Sequence, residues 1–163
     1  SGTNVQDFCG KDSYIGREKG FEAYHKELKE CEIRIAVYRD PIDKIIAGFY
    51  YCQEHVPSLQ HLDHFLWAYD HYLKNNYIRI HCRTNTAMLG PDPSIYTHVW
   101  NMNEIDTKLL PFFEQLGGKK IQKTRLREHE PRTITEAQEA KAREVMAIDY
   151  KNGWCNELIP DKM

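Results

Sequence analysis

The stretch IAVYRDPIDKIIAGFYYC, residues 35–52, decides how the rest of the chain is read. Leading into it, Ile33, Ile35 and Val37 alternate with Arg34, Ala36 and Tyr38, the β-branched alternation of a strand. The run stops at Arg39-Asp40-Pro41. Pro41 suits the first turn of a helix, where its missing N–H costs nothing, and Asp40 before it is a suitable N-cap. Ile42, Ile45, Ile46 and Phe49 then recur at helical spacing, so a helix is expected from Pro41 to between Cys52 and His55, ahead of Pro57. An arginine therefore stands where a strand yields to a helix. In open α/β sheets ligands bind beyond the carboxyl ends of strands. A helix N-terminus offers free N–H groups and a partial positive charge there, and a guanidinium adds a permanently charged fork. The pattern points to a phosphate seat. The competing reading is that Arg39 pairs with Asp40, Asp43 or another acid.

Outward from this corner, Phe21, Tyr24 and Leu28 share a helical face in residues 21–30, after a first segment that reads as loop with one short helix. Beyond it, Ser58 is placed to cap a helix whose stripe runs through Leu59, Leu62, Phe65, Leu66, Tyr69, Tyr72 and Leu73. Residues 77–80, YIRI, are expected to be a short extended piece, residues 82–95 to be loop or an early helical turn broken by Gly90, Pro91 and Pro93, and residues 96–102 to form a second strand. Glu104 to Leu116 reads as a helix ended by Gly117-Gly118, with Pro111 kinking it or marking its start. Thr133 to Glu136 has capping-box spacing ahead of a last helix to about Tyr150. Trp67, Tyr69, Trp100, Phe112 and Phe113 sit at core spacing. Strands alternating with helices predict the α/β class in one domain over 1–163. Two clear strands are too few for a covered parallel sheet, so either weaker strands lie unread in the chain or part of the sheet belongs to sequence outside it.

The chain has 163 residues, 41% apolar and 28% charged, with a formal charge of −2, so its composition argues for neither a nucleic-acid nor a membrane partner. No apolar run approaches the ~20 residues of a membrane helix, and no signal peptide is visible. The five cysteines, Cys9, Cys31, Cys52, Cys82 and Cys155, are scattered without a C-x-x-C, which favours reduced thiols in a cytoplasm over a zinc site. His61, His64 and His71 share one side of a helix but lack metal-ligand spacing, and no metal is expected.

IRIAVYRDPIDKIIAGFYY resembles the strand–loop–helix of the sulfotransferases that use 3′-phosphoadenosine-5′-phosphosulfate (PAPS), where the pattern is R-D/N-P-x-x-R-x-x-S-x-Y. Arg39, Asp40 and Pro41 match, Lys44 replaces the second arginine, and Ala47 stands where the serine belongs, which removes one hydroxyl donor. HCRTNTAMLG, YTHVWNMNEIDTKLLPFFEQLGG and AREVMAIDYKNGW look like later parts of the carbohydrate-type branch, so the resemblance covers residues 33 to about 154. It implies a three-layer, P-loop-like parallel sheet flanked by helices, PAPS as co-substrate with 3′-phosphoadenosine-5′-phosphate (PAP) as product, and Arg39 on the 3′-phosphate. Family members open with a strand and a phosphosulfate loop, K-x-x-G-T-S/T. Ser1-Gly2-Thr3-Asn4 looks like the tail of such a loop, which makes Gly2, Thr3 and Asn4 cofactor-binding candidates and implies a lysine ahead of Ser1. An ordinary flexible terminus is the other reading.

Sulfuryl transfer needs a base for the acceptor proton and cations on the leaving phosphate. His25 and His81 are the candidate bases, with Glu18, Glu22, Glu54 and His55 behind them; a histidine suits the task because its ordinary pKa is near neutrality. The basic segment Lys119–Arg132 offers Lys123, Arg125 and Arg127 to a cofactor, or is a solvated charge run balanced by Glu128 and Glu130. The expected function is transfer of a sulfuryl group to a hydroxyl or amine of a carbohydrate or small alcohol. The alternative is a degenerate module that keeps the scaffold without turnover. A P-loop kinase lacks support, because there is no G-x-x-x-x-G-K-S/T.

Overall fold

The computed structural model describes residues 20–117 and 132–156. The strand read from the sequence forms as β1, Ile35–Tyr38, and pairs in parallel with β2, His98–Asn101, in the register Ile35 to His98 through Tyr38 to Asn101. Ala36 and Tyr38 are the buried members of β1, while Ile33 stays 43% exposed. Between the strands the chain is helical: α2 Pro41–Gln53, α3 Leu62–Trp67, α4 Tyr69–Tyr72, α5 Asn76–Cys82 and α6 Asn85–Leu89, with a 3₁₀ turn at Pro93–Ile95. Helix α1, Phe21–Glu30, precedes β1. After β2 come a 3₁₀ turn, a π-helical turn over Ile105–Leu109 and α7, Leu110–Gly117, so Pro111 lies in the first turn of a regular helix. The chain closes with α8 Glu136–Val145 and α9 Ala147–Asn152.

The expected three-layer, P-loop-like parallel sheet is overturned. Among the described residues there is one sheet, of two strands, and nearly everything else is helix. The physical reason is where the apolar residues recur. Ile45, Phe49 and Cys52 on α2, Leu62, Phe65 and Leu66 on α3, and Ile78 and Cys82 on α5 bury one another at helical spacing, with Ala142 and Met146 from the C-terminal helices. YIRI, expected to be extended, is inside α5: the Asn75 side chain accepts from the Ile78 N–H at 3.1 Å and starts the helix, and Ile78 then joins the core. The small sheet has its own cluster, Ala36, Tyr38, Tyr96, Val99 and Trp154.

Other boundaries shift for local reasons. The stripe begun at Leu59 becomes helix only at Leu62 and breaks at Ala68; Trp67, expected in the core, is 78% exposed. The capping box forms two residues later than its sequence spacing suggests, between Thr135 and Gln138. Asp40 occupies the N-cap position without capping; its carboxylate accepts from the Asn156 N–H at 3.3 Å. Gly48 lets α2 lie directly against α5, since a Cβ there would sit 2.6 Å from the His81 carbonyl oxygen and 2.9 Å from the Cys82 sulfur.

Candidate functional site

Arg39 leaves β1 with its backbone held on a buried side chain. Asn85 donates from Nδ2 to the Arg39 carbonyl at 2.7 Å, and its Oδ1 faces the Arg39 N–H at 3.5 Å. Asn85 is itself fixed by Asp149, whose carboxylate accepts the Asn85 N–H at 2.8 Å, the Thr86 N–H at 2.8 Å and the Thr86 hydroxyl at 2.7 Å. Asp149 is fully buried. Burial raises its pKa above the ordinary carboxylate value, while the Thr86 and Asn85 donors and the nearby Lys44 charge oppose the rise. These bonds join β1, the start of α6 and α9 into one rigid corner.

Three cations meet at this corner. The Arg39 guanidinium makes no hydrogen bond or ion pair with another described residue. Lys44, one turn into α2, is half-buried, and its Nζ reaches the Met88 thioether sulfur at 3.2 Å. Burial lowers its pKa to about 8; Asp149 and the Cys82 thiol work against the fall, and the charges of Arg83 and Arg39 add to it. Arg83, at the end of α5, is buried beside Gly20 and Tyr24. Tyr24 donates to the Met88 carbonyl, and Tyr96 donates to the Leu89 carbonyl at 2.6 Å, which closes the α1–α6 side with phenols whose pKa values burial has raised. Asp40 and Asp43 lie on the outer side; burial and the Asp40 charge raise the Asp43 pKa, and Arg39 lowers it. The Arg39 and Arg83 charges both act on Lys44, and Lys44 acts on the buried Asp149 carboxylate; a guanidinium and an ammonium so placed suit a phosphate-type anion.

Of the residues singled out from the sequence, Arg39 stands at this corner. His25 is on α1, with Nδ1 3.0 Å from the Glu22 carbonyl oxygen and its ring against Phe21. His81 lies between Tyr51 and Tyr77, with ring centroids 4.6 and 4.7 Å away, and His55 joins the same group. Tyr51 is ten residues along α2 from Pro41, about 15 Å at helical rise, so His81 and Arg39 belong to opposite ends of that helix. Gly2, Thr3, Asn4, Arg125, Lys123 and Arg127 lie outside the described residues, as does Glu18. Sequence reasoning missed Arg83, Asn85 and Asp149 as members of the corner. The DY pair in AREVMAIDYKNGW was the available signal for Asp149, but its partner Asn85 lies 64 residues away.

Among the described residues no three His, Cys, Asp or Glu side chains are grouped to hold a metal ion. No helix among them is long and apolar enough to cross a membrane. Comparison with protein-family models, with curated proteins and with solved structures finds no match to this chain.

Proposed function

We propose that the chain seats the 3′-phosphate of a 3′-phosphoadenosine nucleotide at the Arg39 corner, and works in the cytoplasm as a sulfotransferase that takes PAPS as donor and a carbohydrate or small-alcohol hydroxyl or amine as acceptor. The observation that carries the reading is that Arg39, at the end of β1, and Lys44, one turn into α2, stand close enough for their charges to act on each other, with the Arg83 charge also reaching Lys44. The seat needs a strand end, a helix N-terminus and a guanidinium unpaired among the described residues, and these do not depend on how many strands the sheet has. Lys44 fits the same reading. A half-buried ammonium whose described contact is a thioether costs stability, and an anion beside it would offset that cost.

A second reading is a binding module that holds the nucleotide without turnover. It is favoured by the position of His81, which packs between Tyr51 and Tyr77 at the end of α2 away from Arg39. Calorimetric titration of PAP against the chain and against Arg39→Ala tests the shared part; binding that disappears in the variant supports it, and no binding by either protein overturns both readings. Radiolabelled PAPS with a panel of sugars then separates the two, since transfer of label supports the enzyme and binding without transfer supports the module.

A further inference from the structure

The corner does not use the two thiols at the α2–α5 contact. Cys52 and Cys82 are both fully buried, and their sulfurs lie 4.0 Å apart. Their meeting follows from the sequence on α2. Gly48 and Cys52 are four residues apart and so lie on one face. The missing side chain at Gly48 lets the backbone of α5 approach, and one turn further along that approach brings Cys52 opposite Cys82. The rest of the contact keeps the pair in place: the Tyr69 hydroxyl donates to the Cys82 carbonyl at 2.9 Å, and Phe65, Ile78 and Phe49 belong to the same core.

We propose that Cys52 and Cys82 are a redox pair that closes to a disulfide on exposure to a peroxide, pinning α2 to α5 next to Arg83. The thiols differ in the way the step requires. A hydrogen bond from the Cys82 S–H lowers the Cys52 pKa, whereas that bond and burial raise Cys82. The Cys52 thiolate attacks one oxygen of hydrogen peroxide, breaks the O–O bond and releases hydroxide, leaving a sulfenic acid on Cys52. The Cys82 sulfur then attacks the Cys52 sulfur, the S–O bond breaks, and the Cys82 proton leaves with that oxygen as water. The pair gives up two electrons and one peroxide is reduced. Burial keeps bulky disulfides out, so the oxidant proposed is a small one. It also hinders oxidation past the sulfenic state, since Cys82 is already in place to capture it. Cys31, just past the end of α1, is partly exposed, and its thiol donates to the Glu27 carbonyl. It serves as an internal standard for ordinary thiol oxidation.

The proposal is independent of the nucleotide reading and is tested on the full chain without nucleotide. The protein is treated with stepwise hydrogen peroxide, denatured, alkylated with iodoacetamide, and mapped by non-reducing peptide mass spectrometry. The expected result is a 2 Da loss before alkylation, with a Cys52–Cys82 peptide appearing while Cys31 is still alkylated. Closing this loop should raise Tm by about 4–10 °C, reversed by dithiothreitol. Cys52→Ala, checked for fold by circular dichroism, should lose both effects. A link between other cysteines overturns the proposal. So does oxygen addition to Cys31 while Cys52 and Cys82 remain alkylated, and so does a Cys52–Cys82 link that lowers Tm.

Discussion

Replacing Lys44 by methionine should stabilise the protein at neutral pH and cease to do so in alkali. The folded protein holds this ammonium with a pKa lowered from 10.5 to about 8. At roughly 1.4 kcal/mol per unit the full shift corresponds to about 3 kcal/mol against the folded, charged form. Lys44 is only half-buried, so water screens part of this, and the expected gain for Lys44→Met at pH 7 is ~1–2 kcal/mol, or about 2–8 °C in Tm. The direction with pH follows from proton counts. Below about pH 8 the folded and unfolded chains both carry the proton and the penalty is constant. Between about 8 and 10.5 the unfolded chain binds more protons, so wild-type stability rises with pH relative to the variant. Urea denaturation of both proteins at pH 7 and pH 10 measures the difference directly. The reasoning is refuted if the variant is less stable at pH 7, or if its advantage is equally large at pH 10.

Three further outcomes follow from the same contacts. Asp149→Asn removes a buried carboxylate that accepts three hydrogen bonds, and chemical denaturation should show a loss of ~2–4 kcal/mol. Asn85→Ala frees the Arg39 carbonyl and should cost about 1–3 kcal/mol, with faster amide exchange at the Arg39–Asp43 corner read by mass spectrometry. Gly48→Ala forces a methyl against the His81 carbonyl oxygen and the Cys82 sulfur; it should lower stability by ~1–3 kcal/mol and slow peroxide closure of Cys52 onto Cys82, both absent if α5 can shift freely.

The corner was legible because it is local. Ile35 to Tyr38 carries strand chemistry, Pro41 carries helix-start chemistry, and Arg39 falls between them within a few residues. The second strand was legible for the same reason, although its pairing with β1 was not. What failed was the inference from two strands to a layered sheet. YIRI has β-branched residues that suit a strand, yet Asn75 caps it into a helix and the α2–α3 core takes up Ile78. Tertiary burial decided between two local options that composition leaves nearly equal. The other members of the site were hidden by distance along the chain: Asp149 reads as an ordinary helix residue until Asn85 and Thr86 are brought to it. Lys44 was visible as a substitute for arginine, but its cost came into view only with its burial against Met88.

The most direct measurement compares PAP with adenosine 5′-monophosphate, which lacks the 3′-phosphate, by calorimetry on the wild-type chain and on Arg39→Ala. A hydrogen bond to a charged partner contributes ~1.5–3 kcal/mol, so the wild type should prefer PAP by about 10- to 150-fold and the variant should bind the two nearly alike. Equal binding of both nucleotides by the wild type, or a preference that survives in Arg39→Ala, would contradict a phosphate seat at the end of β1.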